Sequence, residues 1–452
     1  MSFSYVVFTL SHMYTPLTKP VAELALPETK INYPVIAFFH SIIQPYARAF
    51  RFKEPIMFHG ERMIDTYHAF LEKKIRLIVG FRHAYGDDPH IMSYVFHHVL
   101  PKEARRAGKP FREITHVHFM YGAEVPLWSS AFVRWLLPNV GAVPINHIHM
   151  DSRGMNRIRK ILTDGKYPLA MAPEGHVTYL SEKVGELETG TARFGFWCME
   201  DLTRQGRDEQ VVFLPVSHHY RYGKNAGRSL SRYLLGMEKE CGIALTAGSA
   251  GIRERLLLIG QAILSSLNRY YSELGLMEGE NSQQAVLGAM LAAAERIFSL
   301  EAEGSTTERI YRIRTKAWDH IYRGDISSMS SLYRKLAGRE TAEAWYAMRH
   351  IESAEILEYI DLTAIPENAK IENYMEIAHN FYDLIERLKG GTLRNRSNEI
   401  DKYAIIVPGE PIVLNEYQEL YKTDKKSALQ KVTDEITLRF TKCIEEYHRG
   451  MD

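Results

Sequence analysis

A histidine lies shortly after an apolar run, and an aspartate follows the histidine five positions later. In FRHAYGDDPH these are His83 and Asp88, with Asp87 as a second candidate acid. Neutral imidazole accepts a proton readily near pH 7, and a carboxylate facing it fixes its tautomer and stabilises its charged form. The spacing therefore suits a general base with an orienting acid. An aspartate before Pro89 is equally typical of a helix N-terminus, and a capping carboxylate is held rigidly enough to serve both purposes.

Two further stretches place polar side chains after apolar runs. PLAMAPEGHVTYL sets Glu174 and Gly175 behind a predicted strand, where a glycine lets a ligand approach the backbone. GAVPINHIHMDSRGMNRIRK enters a predicted helix that carries Arg153 and Arg157. Guanidinium groups pair bidentately with phosphate oxygens, so these arginines favour a phosphate-bearing ligand. A solvated basic helix face is the alternative interpretation.

The pattern of apolar runs predicts the elements that hold these residues. Between about 55 and 222, runs rich in Val, Ile and Phe alternate with stretches of helical spacing; they are IRLIVGF, HVHFMYG, GAVPI, PLAMAP and VVFLPVS. This alternation is typical of an α/β domain with a largely parallel sheet. His83 follows the C-terminal end of the first run, which is where ligand sites form in open α/β sheets.

The segment from 225 to 400 has a different character and predicts an inserted domain. It holds many helical runs and almost no strand pattern, and Ser305 with Glu308 has the spacing of a capping box. YAIIVPGEPIVL at 403–414 is strand-like again, and a lone strand and helix after a bundle would leave an exposed sheet edge. We therefore predict an α/β fold with flanking helices and a large inserted all-α bundle. The predicted domains are an N-terminal helical segment (1–54), the α/β core (55–224), the bundle (225–400) and a completing strand and helix (401–452).

Composition narrows the functional class. The chain has 452 residues, of which 45% are hydrophobic and 25% charged, as in an ordinary globular protein. A net charge of +1 provides no global field for nucleic acid. Three distant cysteines fit a reducing compartment and argue against a disulfide framework or a thiolate metal site.

The N-terminal region bears on localisation. It lacks the features of a signal peptide, and YPVIAFFHSII is shorter than the roughly 20 residues that span a bilayer. We expect a cytoplasmic protein. The same stretch, followed by Arg48, Arg51 and Lys53, leaves two alternatives open: a helix buried on its own core, or a helix lying on the inner face of the membrane.

Four blocks, taken in order, resemble the glycerolipid acyltransferase family, which contains the glycerol-3-phosphate and lysophosphatidic acid acyltransferases. The family's His-x4-Asp motif is similar to His83–Asp88, its Gly/Ile block to GAVPINH, its Pro-Glu-Gly motif to residues 173–175 and its Val-Pro strand to LPVS. GAEVPLW, LETGTARFGFW and VPGEPI resemble connecting and closing segments of the family. The resemblance covers residues 55–222 and 401–450 and has no counterpart for the predicted bundle.

The resemblance implies roles for individual residues, and three departures qualify them. Glu174 and Gly175 would hold the acyl acceptor, and Thr178 would help to hold its phosphate. The family's usual Asn before the histidine is Arg82 here, and Thr-Arg after the Pro-Glu-Gly motif is replaced by His176 and Val177. His147 replaces the arginine that closes the second block, so Arg153 or Arg157 would meet the acceptor phosphate instead.

We therefore expect an O-acyltransferase of phospholipid biosynthesis. It would move a fatty acyl group from acyl-CoA or acyl-carrier protein to a hydroxyl of a glycerol phosphate or lysophospholipid, with His83 as general base and Asp88 orienting it. No metal, further cofactor or nucleic acid is expected, and peripheral contact with a membrane is one of the two alternatives for the N-terminal helix. One alternative is a non-catalytic lipid-binding protein of the same fold. Another is a helical metalloprotein, since Glu376/His379 and Glu445/His448 have the i, i+3 spacing of di-iron bundles, with His116 and His118 on one strand face.

Overall fold

A computed structural model describes residues 17–22, 27–146, 152–243, 251–277, 282–391 and 401–451. Its strands are β1 (Val21–Ala22), β2 (Ile56–Met57), β3 (Ile75–Phe81), β4 (His118–Gly122), β5 (Val143–Ile145), β6 (Leu169–Met171), β7 (Gln210–Tyr222), β8 (Tyr322–Arg323), β9 (Lys402–Pro408) and β10 (Ile412–Val413).

The helices within the described residues are α1 (Tyr33–Phe50), α2 (Gly60–Leu71), α3 (Asp88–Tyr94), α4 (Leu100–Arg106), α5 (Val125–Trp128), α6 (Ala131–Asn139), α7 (Ser152–Asp164), α8 (Gly190–Arg204), α9 (Ala226–Glu240), α10 (Ile252–Glu273), α11 (Gln283–Phe298), α12 (Thr306–Ile321), α13 (Ser331–Tyr359), α14 (Ile371–Leu388), α15 (Gln418–Thr423) and α16 (Lys425–Arg449). A π-helical segment, Val95–Val99, joins α3 to α4.

Eight strands form one central sheet. Seven of them follow the order β2–β9–β7–β3–β6–β4–β5, and β10 pairs with β7 beside this path. The pairings are parallel except those that β7 makes with β9 and β10. The predicted fold class is confirmed as a mixed α/β fold with a mostly parallel sheet and flanking helices.

Strand β3 lies in the middle of the sheet and is buried along its whole length. Its nearly continuous apolar sequence suits a parallel strand that is covered on both faces. Close packing extends to Gly80, because a Cβ there would lie 1.9 Å from the ring of Phe213 on the neighbouring strand. The one cation in the strand, Arg76, donates to three carbonyls near the end of α7, at Ile161, Leu162 and Gly165. A tightly packed central strand therefore ends at Phe81, two residues before His83.

The C-terminal part of the chain contributes to the same sheet. Strand β9 pairs antiparallel with β7 from Lys402 opposite Tyr222 to Pro408 opposite Val216. Its other edge pairs with β2. Helix α16 packs on one face of β9, where Tyr447 is buried against Ile405 and Val407. Residues about 350 positions apart, such as Ile56 and Ile405, therefore lie opposite each other on adjacent strands.

The described residues divide into two compact units. One holds the central sheet and includes Leu24–Ala262, Tyr359–Phe381 and Arg396–Asp452 as far as they are described. The other takes in Ile263–Glu358 and Tyr382–Asn395, within the same limits, together with 17–22. In this second unit Ser305 and Glu308 form the predicted capping box before α12, and β1 pairs with β8. The boundaries of the predicted inserted bundle remain predictions.

Helix α1 buries one face and exposes the other. Val35, Ile36 and Ile43 lie on the buried face. Phe38 and Phe50 are 50% and 60% exposed on the outside. Among the residues that the structure describes, no helix is both long and apolar enough to cross a bilayer.

Candidate functional site

The loop between β3 and α3 brings His83 and Asp88 together. The imidazole Nδ1 lies 3.3 Å from Asp88 Oδ2 and donates a hydrogen bond to it. The His83 side chain is 20% exposed, whereas the Asp88 side chain is fully buried. Because Nδ1 holds the proton, Nε2 is the ring nitrogen left to accept one. The pair therefore has the tautomer that a general base requires.

Asp88 is the first residue of α3, but it does not cap that helix. Its Oδ2 accepts from the backbone N–H of Tyr85, at 2.7 Å, on the N-terminal side of the helix. The expected N-cap role is thus replaced by a bond that folds the loop back toward His83. The short loop and the buried carboxylate hold each other in place.

Two residues of β7 complete the surroundings of Asp88. His218 Nδ1 donates to Asp88 Oδ1 at 2.9 Å, and the Tyr220 hydroxyl donates to the same oxygen. Burial would raise the pKa of Asp88, but the electrostatic attraction and hydrogen bond of His218, with the hydrogen bond of His83, outweigh it and hold that pKa well below its ordinary value. We call His83, Asp88, His218 and Tyr220 the His83 group. Its carboxylate is ionised throughout the physiological range.

The neighbouring acid, Asp87, has a different task. It accepts a hydrogen bond from the buried Lys402 of β9 at 2.8 Å and another from Arg51 at 3.3 Å. Burial would raise the pKa of Asp87, but Lys402, together with His90 and Arg51, more than offsets it, so that the pKa is lowered. Of the two candidate acids, Asp88 contacts His83, and Asp87 fastens the loop to the C-terminal strand.

Glu174 holds the other side of the loop. Its Oε1 accepts from Arg82 Nε, and its Oε2 accepts from the backbone N–H of His83, both at 2.7 Å. Arg82 is fully buried and also donates to the carbonyls of three residues that follow the Pro-Glu-Gly motif: Leu180, Ser181 and Lys183. Arg82 and Glu174 thus form a buried ion pair. Both motifs meet at His83, and both oxygens of Glu174 are engaged within the protein.

The remaining predicted binding residues are placed as follows. Gly175 has φ +74°, and a Cβ there would lie 2.6 Å from Glu188 Oε1, so glycine suits this turn on both counts. Thr178 is buried and its backbone N–H donates to the His83 carbonyl at 3.2 Å. Arg157 on α7 donates to the Pro27 carbonyl at 2.8 Å.

For two of the predicted binding residues the structure does not describe the side chain. His147 lies outside the described residues, as does the side chain of Arg153. The candidate phosphate contacts of both remain predictions. Among the described residues, no hydrogen bond or ion pair links Arg157 to the His83 group.

Glu376 and His379, the pair suggested as metal ligands, lie on α14 beside the loop that follows the Pro-Glu-Gly motif. Glu376 accepts from the backbone N–H and the hydroxyl of Ser181, and burial raises its pKa to about 8. The His379 ring stacks on Tyr179, and burial lowers its pKa to about 3. The described part of the chain contains no cluster of three or more such side chains arranged to hold a metal ion.

A second group of imidazoles lies elsewhere in the sheet-containing unit. His40 Nδ1 is 3.2 Å from His97 Nδ1, His97 Nε2 is 3.1 Å from His116 Nδ1, and His116 Nε2 is 2.7 Å from the Val140 carbonyl. A carbonyl oxygen only accepts, so each hydrogen bond in this series of neutral imidazoles is donated in the direction from His40 toward Val140. We call these three residues the histidine row. Burial lowers the pKa of all three, that of His116 to about 4.

Sequence reasoning missed His218, Tyr220 and Lys402. A signal was present in VVFLPVSHHY, because residues 216, 218 and 220 share one face of a strand. The parallel pairing of β7 with β3, with Val216 opposite Phe81, turns that face toward the loop. Lys402 precedes a predicted strand and carries no comparable signal.

Comparison with protein-family models, curated proteins and solved structures found no match for this chain.

Proposed function

We propose that this protein is an O-acyltransferase that moves a fatty acyl group from a thioester, acyl-CoA or acyl-carrier protein, to a hydroxyl of a glycerol phosphate or lysophospholipid. The observation that carries the proposal is the hydrogen bond between His83 Nδ1 and Asp88 Oδ2 at the C-terminal end of β3. It leaves Nε2 of a partly exposed imidazole as the proton acceptor. A neutral imidazole with an orienting carboxylate is suited to activating a hydroxyl near pH 7.

The transfer step proceeds directly between the two substrates. As the acceptor oxygen attacks the thioester carbonyl, its proton passes to His83 Nε2 and a C–O bond forms. The C–S bond then breaks, and the thiolate takes the proton from the imidazolium and leaves as a thiol. Asp88 stays ionised and stabilises the charged ring between the two proton transfers. Its low pKa suits this role, because the carboxylate does not compete for the proton.

Direct transfer is also supported by the cysteines. A thiol that forms an acyl-enzyme needs a lowered pKa and some exposure. Burial raises the pKa of Cys198 and that of Cys443 to about 12. Cys241 is half-buried, and burial raises its pKa as well. None of the three has the surroundings of an activated nucleophile.

Helix α1 supports a peripheral membrane contact in this proposal. Three aromatic side chains along the helix, Tyr33, Phe38 and Phe50, are each exposed by half or more. Arg48 is the only charged residue in its 18-residue sequence. A helix fixed to its own core on one face and apolar on the other suits the boundary between headgroups and acyl chains. A lipid acceptor would be met at this surface.

The test is thiol release from a panel of acyl thioesters, with glycerol-3-phosphate, lysophosphatidic acid and vesicle-borne lysophospholipids as acceptors. We expect acceptor-dependent release that falls by about 10²–10⁴-fold in His83→Ala, the usual contribution of general base catalysis. His68→Ala is the matched control and should keep activity, because the His68 ring stacks on Phe111 and hydrogen-bonds to the Lys109 carbonyl, away from the His83 group.

Release that is unchanged in His83→Ala would contradict the mechanism. Absence of release with both acyl-CoA and acyl-carrier protein donors would favour the alternative, a non-catalytic lipid-binding protein of the same fold. Binding of lysophospholipid by the inactive wild type would then distinguish that alternative from a chain with no lipid function.

A further inference from the structure

Asp88 serves two imidazoles, and the second one is not part of the His83–Asp88 motif. His218 lies 130 positions further along the chain, is fully buried, and points Nδ1 at Asp88 Oδ1. Its ring stacks on Phe81, the last residue of β3, with centroids 5.9 Å apart. Within the described residues its Nε2 has no hydrogen-bond partner. Among the described residues, the contact with Asp88 is thus the hydrogen bond that orients this ring.

An ionised carboxylate offers about four lone-pair sites, and all four are taken here. Oδ1 accepts from His218 and Tyr220, and Oδ2 accepts from the Tyr85 amide and His83. Three of these donors are held by the frame: two buried side chains of β7 and one backbone group. His83, the partly exposed member, occupies the fourth site. The orientation of the carboxylate is therefore fixed before His83 binds to it.

We propose that His218 is a positioning residue, which holds Asp88 in the orientation that gives His83 its tautomer and limits how strongly the carboxylate attracts the proton of His83. The inference rests on the proposed function, since it specifies how the base of that reaction is tuned. The Nδ1–H of His218 takes up part of the carboxylate charge, as does the Tyr220 hydroxyl. Without His218, Asp88 rotates more freely and binds the charged form of His83 more strongly.

Other ionisable groups surround the His83 group, and they are the same in the wild type and in every His218 variant. On the loop and α3 they are Arg82, Tyr85, Asp87 and His90; on β7, His219 and Tyr220; on β9, Lys402; before β2, Arg51; after β6, Glu174; and on α14, Glu376 and His379.

Two substitutions separate the hydrogen bond from the bulk of the ring. In His218→Asn the side-chain amide places an N–H where Nδ1–H stood, so the bond to Asp88 is kept. In His218→Leu the volume is retained approximately and the donor is lost. We expect His218→Leu to lower kcat about 10-fold and to change KM by no more than about 2-fold. The acidic limb of the pH profile of kcat/KM should move up by about one pH unit. A shift of that size corresponds to the free energy of about one hydrogen bond to a charged group. His218→Asn should keep both close to the wild-type values.

A second readout does not depend on activity. Two-bond ¹H–¹⁵N correlation spectra of ¹⁵N-histidine protein report which ring nitrogen carries the proton, and the His83→Ala spectrum identifies the His83 signals. His83 should be the Nδ1–H tautomer in the wild type and in His218→Asn, and a mixture of tautomers in His218→Leu. Thermal unfolding confirms that each variant is folded.

The outcomes distinguish the two proposals. If the wild type releases no thiol with any donor and acceptor, the proposed function fails, and the tautomer of His83 still decides the role of His218. An unchanged tautomer and an unchanged acidic limb in folded His218→Leu would overturn the inference. Equal losses in the Asn and Leu variants would also overturn it, because they would show a need for the ring rather than for its hydrogen bond.

Discussion

The His83 group and the histidine row contain imidazoles in opposite circumstances. In the His83 group, His83 and His218 both donate to the buried carboxylate of Asp88. In the histidine row, His40, His97 and His116 donate to one another and finally to a backbone carbonyl. Both are ordered and largely buried chains of hydrogen bonds. They differ in having or lacking an acid.

That difference decides what each group can do. A buried imidazole without an acid is kept neutral by desolvation, as the lowered pKa values of the row indicate. A carboxylate beside an imidazole stabilises the charged ring that forms when a proton is accepted. A buried histidine is thus a structural element in one place and a candidate base in the other. The acid, rather than burial, separates the two cases.

The largest effect on stability is expected when the buried ion pair of Arg82 and Glu174 is broken. Arg82→Met leaves Glu174 buried without its cation and frees three carbonyls, so the free energy of unfolding should fall by about 3–5 kcal/mol. Chemical denaturation at pH 7.5 measures it. Lys109→Met, which breaks an exposed pair with Asp65, should cost about 1 kcal/mol or less. Similar losses in both variants would remove the distinction between buried and exposed pairs here.

The histidine row predicts a loss of stability in acid. The pKa of His116 is about 4 in the folded protein, whereas an unfolded histidine has a pKa near 6.5. The contribution of His116 to the free energy of unfolding is fully present above pH 6.5 and is lost as the pH falls toward 4, because the unfolded chain takes up the proton first. This one group accounts for about 3 kcal/mol at most. His116→Gln, which keeps a donor toward Val140, should flatten this part of the pH dependence of unfolding.

The control for this measurement is a histidine at the surface. His448 is 40% exposed, with Nε2 3.7 Å from Glu182 Oε2, and His448→Gln should change the slope between pH 6.5 and 4 less than His116→Gln does. A slope in His116→Gln equal to that of the wild type would contradict the assignment of acid sensitivity to the row.

The smallest effect is expected at the outer end of the row. His40→Ala removes the donor to His97 Nδ1, but His40 is only partly buried, so water replaces the lost bond and the free energy of unfolding should fall by about 1 kcal/mol. His40→Asn retains an N–H donor and should recover most of it. Chemical denaturation at pH 7.5 compares the three proteins. If His40→Ala lowered the free energy of unfolding as much as Arg82→Met does, a hydrogen bond of the histidine row would matter as much to stability as the buried ion pair.

Short-range features of the structure were predictable from the sequence. The apolar run before His83 is a buried strand of a mostly parallel sheet, and the five-residue spacing brings His83 to Asp88. Ser305 and Glu308 form their capping box. In each case the interacting residues lie within one element or one turn. Local periodicity and spacing then contain nearly all the geometry.

The composition of the site depended on contacts that spacing does not encode. Arg82 and Glu174 are 92 positions apart, Asp88 and His218 are 130 apart, and Asp87 and Lys402 are 315 apart. Each contact requires that strands distant in the chain become neighbours in a particular register, so that the same face of β7 and β9 meets the loop after β3. Register is set by how buried faces pack across the whole sheet. The sequence by itself therefore determined a histidine and an acid at the end of a strand, and the tertiary structure decided which acid serves the histidine and which second imidazole holds that acid in place.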